Sequence, residues 1–231
     1  PGLTTNPLLY DKYPLDPLKD FTAVSLVAVI PNIFVVHPTV PVKTMKEMLA
    51  LARSRPDTLT QASSGTGSPG HLAGALLQQM TNTRFIHVPY KGSGAALIDL
   101  LGGHVDLSFP TISASQPHIK SGRVRALGIT SAKRSSLLPE LPTIAEAGVP
   151  GFEIVGWYGI VGAPGMPKDV VTRLNTEIAR LLKTPEVRER LLREGAEPVG
   201  SSPEEFSAYL AADQSKWAKV IKAANIRPSQ L

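Results

Sequence analysis

A chain of 231 residues with 42% apolar and 19% charged residues has a globular composition, which excludes a disordered chain and accommodates one large domain or two small α/β lobes. The absence of cysteine excludes disulfides, cysteine nucleophiles and thiolate metal sites, and no apolar run reaches the roughly 18 residues of a membrane span. The net charge of +5 comes from Lys and Arg scattered along the chain, such as Arg53 and Arg55 or Arg188 and Arg190, with no interleaved aromatic residues. That pattern points away from nucleic acid and toward anionic solutes.

In chain order, the Val, Ile and Phe content of 21–28 and 33–37 predicts two strands. Thr44-Met45-Lys46-Glu47 is a capping box, followed by Met45, Met48, Leu49 and Ala52 at helical spacing. A strand near 58–62 leads into a glycine- and serine-rich turn and a helix from Leu72 to Met80. A strand over 85–88 runs into Pro89-Tyr90-Lys91-Gly92-Ser93-Gly94 and a helix over 95–101 that stops at Gly102-Gly103. Further strands are expected at 105–109 and 124–130, with short helices at 111–120 and after the capping box Thr143-Ile144-Ala145-Glu146. An extended run covers 152–161, and beyond it only helices are expected: 168–183, one opening at Thr184-Pro185, and one opening at the capping box Ser202-Pro203-Glu204-Glu205.

Strands separated by helices imply parallel pairing and an α/β fold. The middle of the chain holds a self-sufficient set of strands and helices, whereas the flanks must combine to cover each other's apolar faces. We therefore expect two lobes, residues 1–36 plus 158–231 and residues 37–157, with hinge crossings near 30–37 and 155–161. Ligands of such folds lie at the carboxyl ends of strands, in the crevice between lobes.

Two constellations carry chemistry. The first is Ala62-Ser63-Ser64-Gly65-Thr66-Gly67-Ser68-Pro69-Gly70-His71. In one reading the hydroxyls of Ser63, Ser64, Thr66 and Ser68 and the amides of residues 65–70 hold a carboxylate or phosphate, because glycines allow close approach and a helix N-terminus carries unpaired N–H groups and partial positive charge. In the other reading the segment is a flexible turn, with Ser68 as an ordinary N-cap and Pro69 at the first helical position. A P-loop is excluded by the absence of Gly-Lys-Ser/Thr, and a dinucleotide site by the absence of an acidic residue about 20 positions on. The second constellation, Tyr90-Lys91-Gly92-Ser93-Gly94, repeats the design, with Ser93 as its candidate helix cap and Lys91 as a counter-charge or a solvated loop lysine. If the two strands lie side by side, both helix N-termini face one crevice. No two of the five histidines have metal-ligand spacing. Ser64 with His71 invites a hydrolase reading, but there is no Gly-x-Ser-x-Gly elbow and no marked third member. Asp106 is a candidate to cap or line the cleft. Trp157 and Tyr158 are expected either to wall the site or to pack the core or hinge.

Across its whole length the chain resembles the Bug-type substrate-binding proteins of tripartite tricarboxylate transporters. The resemblance is carried by Thr5-Asn6-Pro7, Tyr13-Pro14-Leu15-Asp16-Pro17, Val35-Val36-His37-Pro38, Ala62-Ser63-Ser64-Gly65 with Gly67-Ser68 and His71-Leu72, and Val88-Pro89-Tyr90-Lys91-Gly92. Leu101-Gly102-Gly103, Pro117-His118-Ile119-Lys120-Ser121-Gly122, Leu141-Pro142-Thr143 and Trp157-Tyr158-Gly159 continue it.

The resemblance implies a two-lobe periplasmic-binding-protein-like fold of type II. It implies a monomeric periplasmic receptor, with no catalysis, cofactor or metal, that closes on a small organic mono- or dicarboxylate and delivers it to membrane permease components. By the same resemblance the ligand-binding positions are Asn6, Ser63, Ser64, Gly67, Ser68 and the Lys91–Gly92 turn; the reading of the residues themselves adds Gly65 of the amide cradle and Trp157 as a candidate wall. The family pattern begins upstream with a βαβ unit that completes the first lobe, and a signal peptide is expected before that; the sequence starts after both. Pro110 stands where the family often has an acidic residue, which disfavours a ligand with an amino group. A sensory receptor that presents its ligand to a sensor kinase is the alternative role, and a serine hydrolase using Ser64 the remote one.

Overall fold

A computed structural model describes residues 2–227. In chain order its elements are α1 (Gly2–Leu9), β1 (Thr22–Pro31), β2 (Ile33–Val36), α2 (Met45–Ser54), β3 (Thr60–Ser63), α3 (Pro69–Thr81), β4 (Ile86–Pro89) and α4 (Ser93–Leu101). They continue with β5 (Leu107–Ser108), α5 (Ile112–Lys120), β6 (Arg125–Ile129), β7 (Val155–Gly162), α6 (Lys168–Leu182), α7 (Pro185–Arg193), β8 (Glu197–Pro198) and α8 (Pro203–Ala223). The chain divides into two compact units: residues up to Ile30 with Gly156–Lys222, and Pro31–Val155 with the described residues from Ala223. Among the described residues no helix is long and apolar enough to cross a membrane.

The second unit is built on a five-stranded sheet of order β4-β3-β5-β2-β6. β3 pairs in parallel with β4 and β5, whereas β2 is antiparallel to both β5 and β6. The sheet is therefore mixed, not purely parallel. Strand–helix–strand crossovers keep β3 to β6 in one direction, and β2, which no helix returns to the sheet, runs the other way. β2 also lies in this unit, not in the first lobe where its position before residue 37 had placed it. Ile33, Phe34, Val35 and Val36 are each fully buried, the continuous apolar run of a central strand covered on both faces. Ala62, Leu100, Ile112 and Ile129 pack in the same core.

The expected capping boxes at Thr143 and Ser202 close reciprocally, and at Thr44 the Glu47 carboxylate reaches one residue further back. The Glu47 N–H donates to Thr44 Oγ1 at 3.2 Å, and the Lys43 N–H to Glu47 Oε2 at 2.6 Å. The Glu146 N–H donates to Thr143 Oγ1 at 3.0 Å and the Thr143 N–H to Glu146 Oε2 at 2.9 Å, yet only a turn follows. Gly148 and Pro150 end that segment before helix propagation can offset the cost of nucleation.

The first unit has a three-stranded sheet of order β7-β1-β8 and a core around Leu26, Trp157, Phe206 and Leu210. Two of its elements differ from the sequence reading. Residues 2–9 are helical, and β8 interrupts the helical tail to pair antiparallel with β1, Ala28 opposite Pro198 and Val29 opposite Glu197. Both are tertiary products. Asp213 of α8 accepts from Thr4 Oγ1 at 2.6 Å, tying α1 to α8, and the two residues of β8 have no pattern of their own and exist only as a ladder on β1.

Candidate functional site

Because β4, β3 and β5 run parallel, the turns that follow them emerge at one edge of the sheet, each leading into a helix: α4, α3 and α5. Three helix N-termini, each with unpaired N–H groups and partial positive charge, are thereby gathered at the carboxyl ends of adjacent strands. The turns touch. The Tyr90 N–H donates to Ser63 O at 3.0 Å, and a Cβ at Gly70 would lie 3.4 Å from Phe109 O.

The β3–α3 turn is closed by its own side chains. Ser68 is the N-cap of α3, in extended backbone (φ −66°, ψ 158°), with Pro69 at the first helical position and Ser68 Oγ accepting from the His71 N–H at 3.4 Å. Ser63, 2% exposed, accepts the Gly65 N–H on Oγ at 3.2 Å and lies 2.7 Å from His87 Nε2. The Gly67 N–H donates to His71 Nδ1 at 3.1 Å, and the Ser68 N–H to Gly65 O at 3.2 Å. Beneath the turn the imidazoles of His71 and His87 stack with centroids 3.6 Å apart and planes 2° from parallel. Gln61, fully buried on β3, donates from Nε2 to Gly70 O at 2.8 Å and holds the first turn of α3 against the sheet.

Burial pulls His71 down to about 3, with the neighbouring His87 pushing the same way, and burial pulls His87 down to about 4. Both rings are therefore neutral at neutral pH. Since Nδ1 of His71 accepts, its proton is assigned to Nε2.

This closure corrects one expectation. The amides of Gly65, Gly67 and Ser68 do not point at a ligand, because each has an internal acceptor. Within the turn, the N–H groups that have no partner among the described residues are those of Ser64 and Thr66. Nor does Ser64 pair with His71, whose Nδ1 is occupied by Gly67 and whose ring face is covered by His87.

The β4–α4 turn is open. Its N-cap is Gly92, with φ 113° and ψ 163°, and no side chain caps the helix; Ser93, expected as the cap, is instead the first helical residue. That backbone conformation is open to glycine and strained for any other residue, so the cap falls at 92 and a hydroxyl one position later cannot fold back onto the helix end. A Cβ at Gly92 or Gly94 would meet nothing within 4 Å, and Lys91 is exposed. The turn is anchored from behind, where Tyr90 donates its hydroxyl to Asp99 Oδ2 at 2.6 Å; burial, and then Asp99, push the Tyr90 phenol up to about 12.

Sequence reasoning missed the third N-terminus as part of the site. Thr111 caps α5 without a side-chain hydrogen bond, and the preceding Pro110 accepts the Ile33 N–H on its carbonyl at 2.9 Å. The signal was the strand–turn–helix design shared with the other two, without their glycines.

The structure brings Ser63, Ser64, Gly65, Gly67, Ser68, Lys91 and Gly92 to this edge. Asn6 and Trp157 belong to the other unit. Trp157, 8% exposed, packs edge-on against Phe206 and Tyr209 and donates from Nε1 to Asp213 Oδ2 at 3.2 Å, which makes it a core residue of that unit. Asp106 accepts from the Thr60 N–H and Oγ1, both at 2.7 Å, which places it at the start of β3, not at the site.

Residues 1–226 match the family model described as the tripartite tricarboxylate transporter family receptor, TctC. A UPF0065 protein from the tcbD-tcbE intergenic region of Pseudomonas sp. (strain P51) is 38% identical over 230 residues, covering 99% of this chain and 68% of the relative. Protein BugT of Bordetella pertussis is 33% identical over 214 residues, 93% of this chain and 66% of its own length. The chain thus spans about two thirds of the length of these relatives. Among solved structures, R. palustris Rpa4515 with adipate is 43% identical with a TM-score of 0.85, covering 99% of this chain and 77% of that one. MatC from Rhodopseudomonas palustris with bound malate is 30% identical with a TM-score of 0.78, covering 95% and 74%. With the family model matched almost end to end, the chain belongs to the tripartite tricarboxylate transporter receptor family and is of the Bug type.

Proposed function

We propose that this chain is the ligand-binding body of a periplasmic receptor that captures a small organic mono- or dicarboxylate and hands it to the membrane permease components of a tripartite tricarboxylate-type transporter. One observation carries the reading: three helix N-termini converge on one sheet edge, and that of α4 has no side-chain cap. Such an edge offers fixed N–H donors and partial positive charge, the complement of a carboxylate. The Ser64 and Thr66 amides and the Lys91–Gly92 turn are the donors we assign to the ligand. Lys91 adds a mobile positive charge at the rim. The adipate and malate named in the solved relatives are carboxylates of this class.

Isothermal titration of the 231-residue chain with adipate, malate and a panel of monocarboxylates, with adipamide as the uncharged control, tests the proposal. We expect saturable binding of at least one carboxylate, recovered chemically unchanged, and none of adipamide. Absence of binding across the panel, or equal binding of adipamide, would overturn it.

A further inference from the structure

We propose that the stacked His71–His87 pair is a positioning device that fixes which amides of the β3–α3 turn face an anion. The proposal rests on the carboxylate-receptor reading above. Each ring holds a different part of the turn. His71 takes the Gly67 N–H on Nδ1 at 3.1 Å, and His87 holds Ser63 Oγ at 2.7 Å, the same oxygen that accepts the Gly65 N–H at 3.2 Å. The rings lie face to face at 3.6 Å, so neither can swing without displacing the other.

Gln61 completes the layer. It is the register partner of His87 across the parallel β3–β4 ladder, and its amide reaches α3 through the space that Gly74 leaves, where a Cβ would overlap it. Gln61, Ser63, His71 and His87 thus form a polar layer between sheet and helix with no formal charge, both imidazoles being kept neutral by burial. A charge in that layer would act on the bound anion directly. A neutral layer leaves the anion to the oriented amides above it and holds those amides still before the ligand arrives. The turn consequently presents Ser64 and Thr66 while Gly65 and Gly67 are bound from below.

The substitutions that isolate this role keep or remove one hydrogen-bonding atom. Asn at 71 places Oδ1 where Nδ1 stood, and Gln at 87 places its amide where Nε2 stood; Leu at either position keeps bulk only. Three measurements on the full chain decide the proposal. Imidazole ¹⁵N spectra of the unmodified protein at pH 7 should show His71 as the Nε2–H tautomer. Amide exchange should speed up at Gly67 in His71→Leu and at Gly65 in His87→Leu, each without the other, and return in His71→Asn and His87→Gln. Adipate or malate affinity, whichever the unmodified chain binds, should fall about tenfold in the Leu variants, the size expected for losing one buried hydrogen bond, and recover in the Asn and Gln variants.

An Nδ1–H or charged His71 at pH 7 would overturn the proposal, and so would unchanged Gly67 exchange in His71→Leu or an Asn variant no better than Leu. The tautomer and exchange readouts need no ligand. Failure of the unmodified chain to bind any carboxylate therefore rejects the receptor reading alone, whereas binding that is indifferent to His71→Leu rejects the positioning role alone. If a Leu variant does not fold, the tautomer and the His71→Asn exchange pattern still decide.

Discussion

The β3–α3 and β4–α4 turns share a design, strand, then glycine and hydroxyl residues, then helix, and they end in opposite states. The first is closed: Ser68 caps its helix, and its Gly65 and Gly67 amides are held by Ser63 and His71. The second is open: Gly92 caps α4 with no side chain and nothing stands within 4 Å of where its Cβ would be. The difference comes from one position of offset. In the first turn Pro69 at the first helical position places the preceding hydroxyl at the cap. In the second, Gly92 takes the cap itself and draws Ser93 into the helix. One turn holds most of its amides internally and leaves those of Ser64 and Thr66, and the other leaves its helix end without a side-chain cap.

The largest expected effect that would break this comparison is acidification. The histidine values are lowered on folding, to about 3 and about 4 from the ordinary 6.5, so between those limits the unfolded chain binds more protons than the folded one. The stability that depends on neutral histidines is complete above about pH 6.5 and is lost progressively as pH falls through 4 toward 3. Urea midpoints measured from pH 7 to 4 should fall steeply, and the slope should flatten in the His71→Asn, His87→Gln double variant.

Next in size is steric. Gly74→Val forces a side chain into the Gln61 amide and should cost about 3 kcal/mol in urea unfolding, and most of that cost should vanish when Gln61→Ala is added. In the open turn the corresponding penalty is conformational. Gly92→Ala meets no atom but must adopt φ 113°, and should cost about 2 kcal/mol that no second substitution relieves.

The smallest effects sharpen the contrast between the two hydroxyls. Ser68→Ala removes a cap and should cost about 1 kcal/mol, whereas Ser93→Ala, at a helical position with no capping bond, should stay within about 0.5 kcal/mol. Equal losses at the two serines would refute the assignment of a closed and an open turn.

Much of the fold was written in local pattern. The capping boxes at Thr44, Thr143 and Ser202, the apolar spacing of α2, the N-cap at Ser68 and the parallel strand–helix crossovers are encoded within a few residues, where propensity and side-chain reach decide the outcome. So was the gathering of the two glycine-rich turns at one sheet edge, because parallel strands joined by helices put every following turn on the same side. Asn6 and Trp157 were singled out on resemblance and aromatic character, and Trp157 proved to pack in a core that its neighbours in sequence do not reveal.

What only the tertiary structure decided concerns partners far apart in the chain. Val35 and Val36 read as a strand from sequence, but their place between β5 and β6 depends on register partners more than seventy residues away. Helix α1 and strand β8 form because Asp213 and β1 receive them. His71 and His87 look like two isolated histidines until β3 and β4 align and stack their rings. Local sequence determined where the helices begin and therefore where the amides are. Long-range packing fixed the side chains that take those amides, because the His87 ring, sixteen residues from His71 in sequence and stacked on it with centroids 3.6 Å apart, leaves no periodic trace.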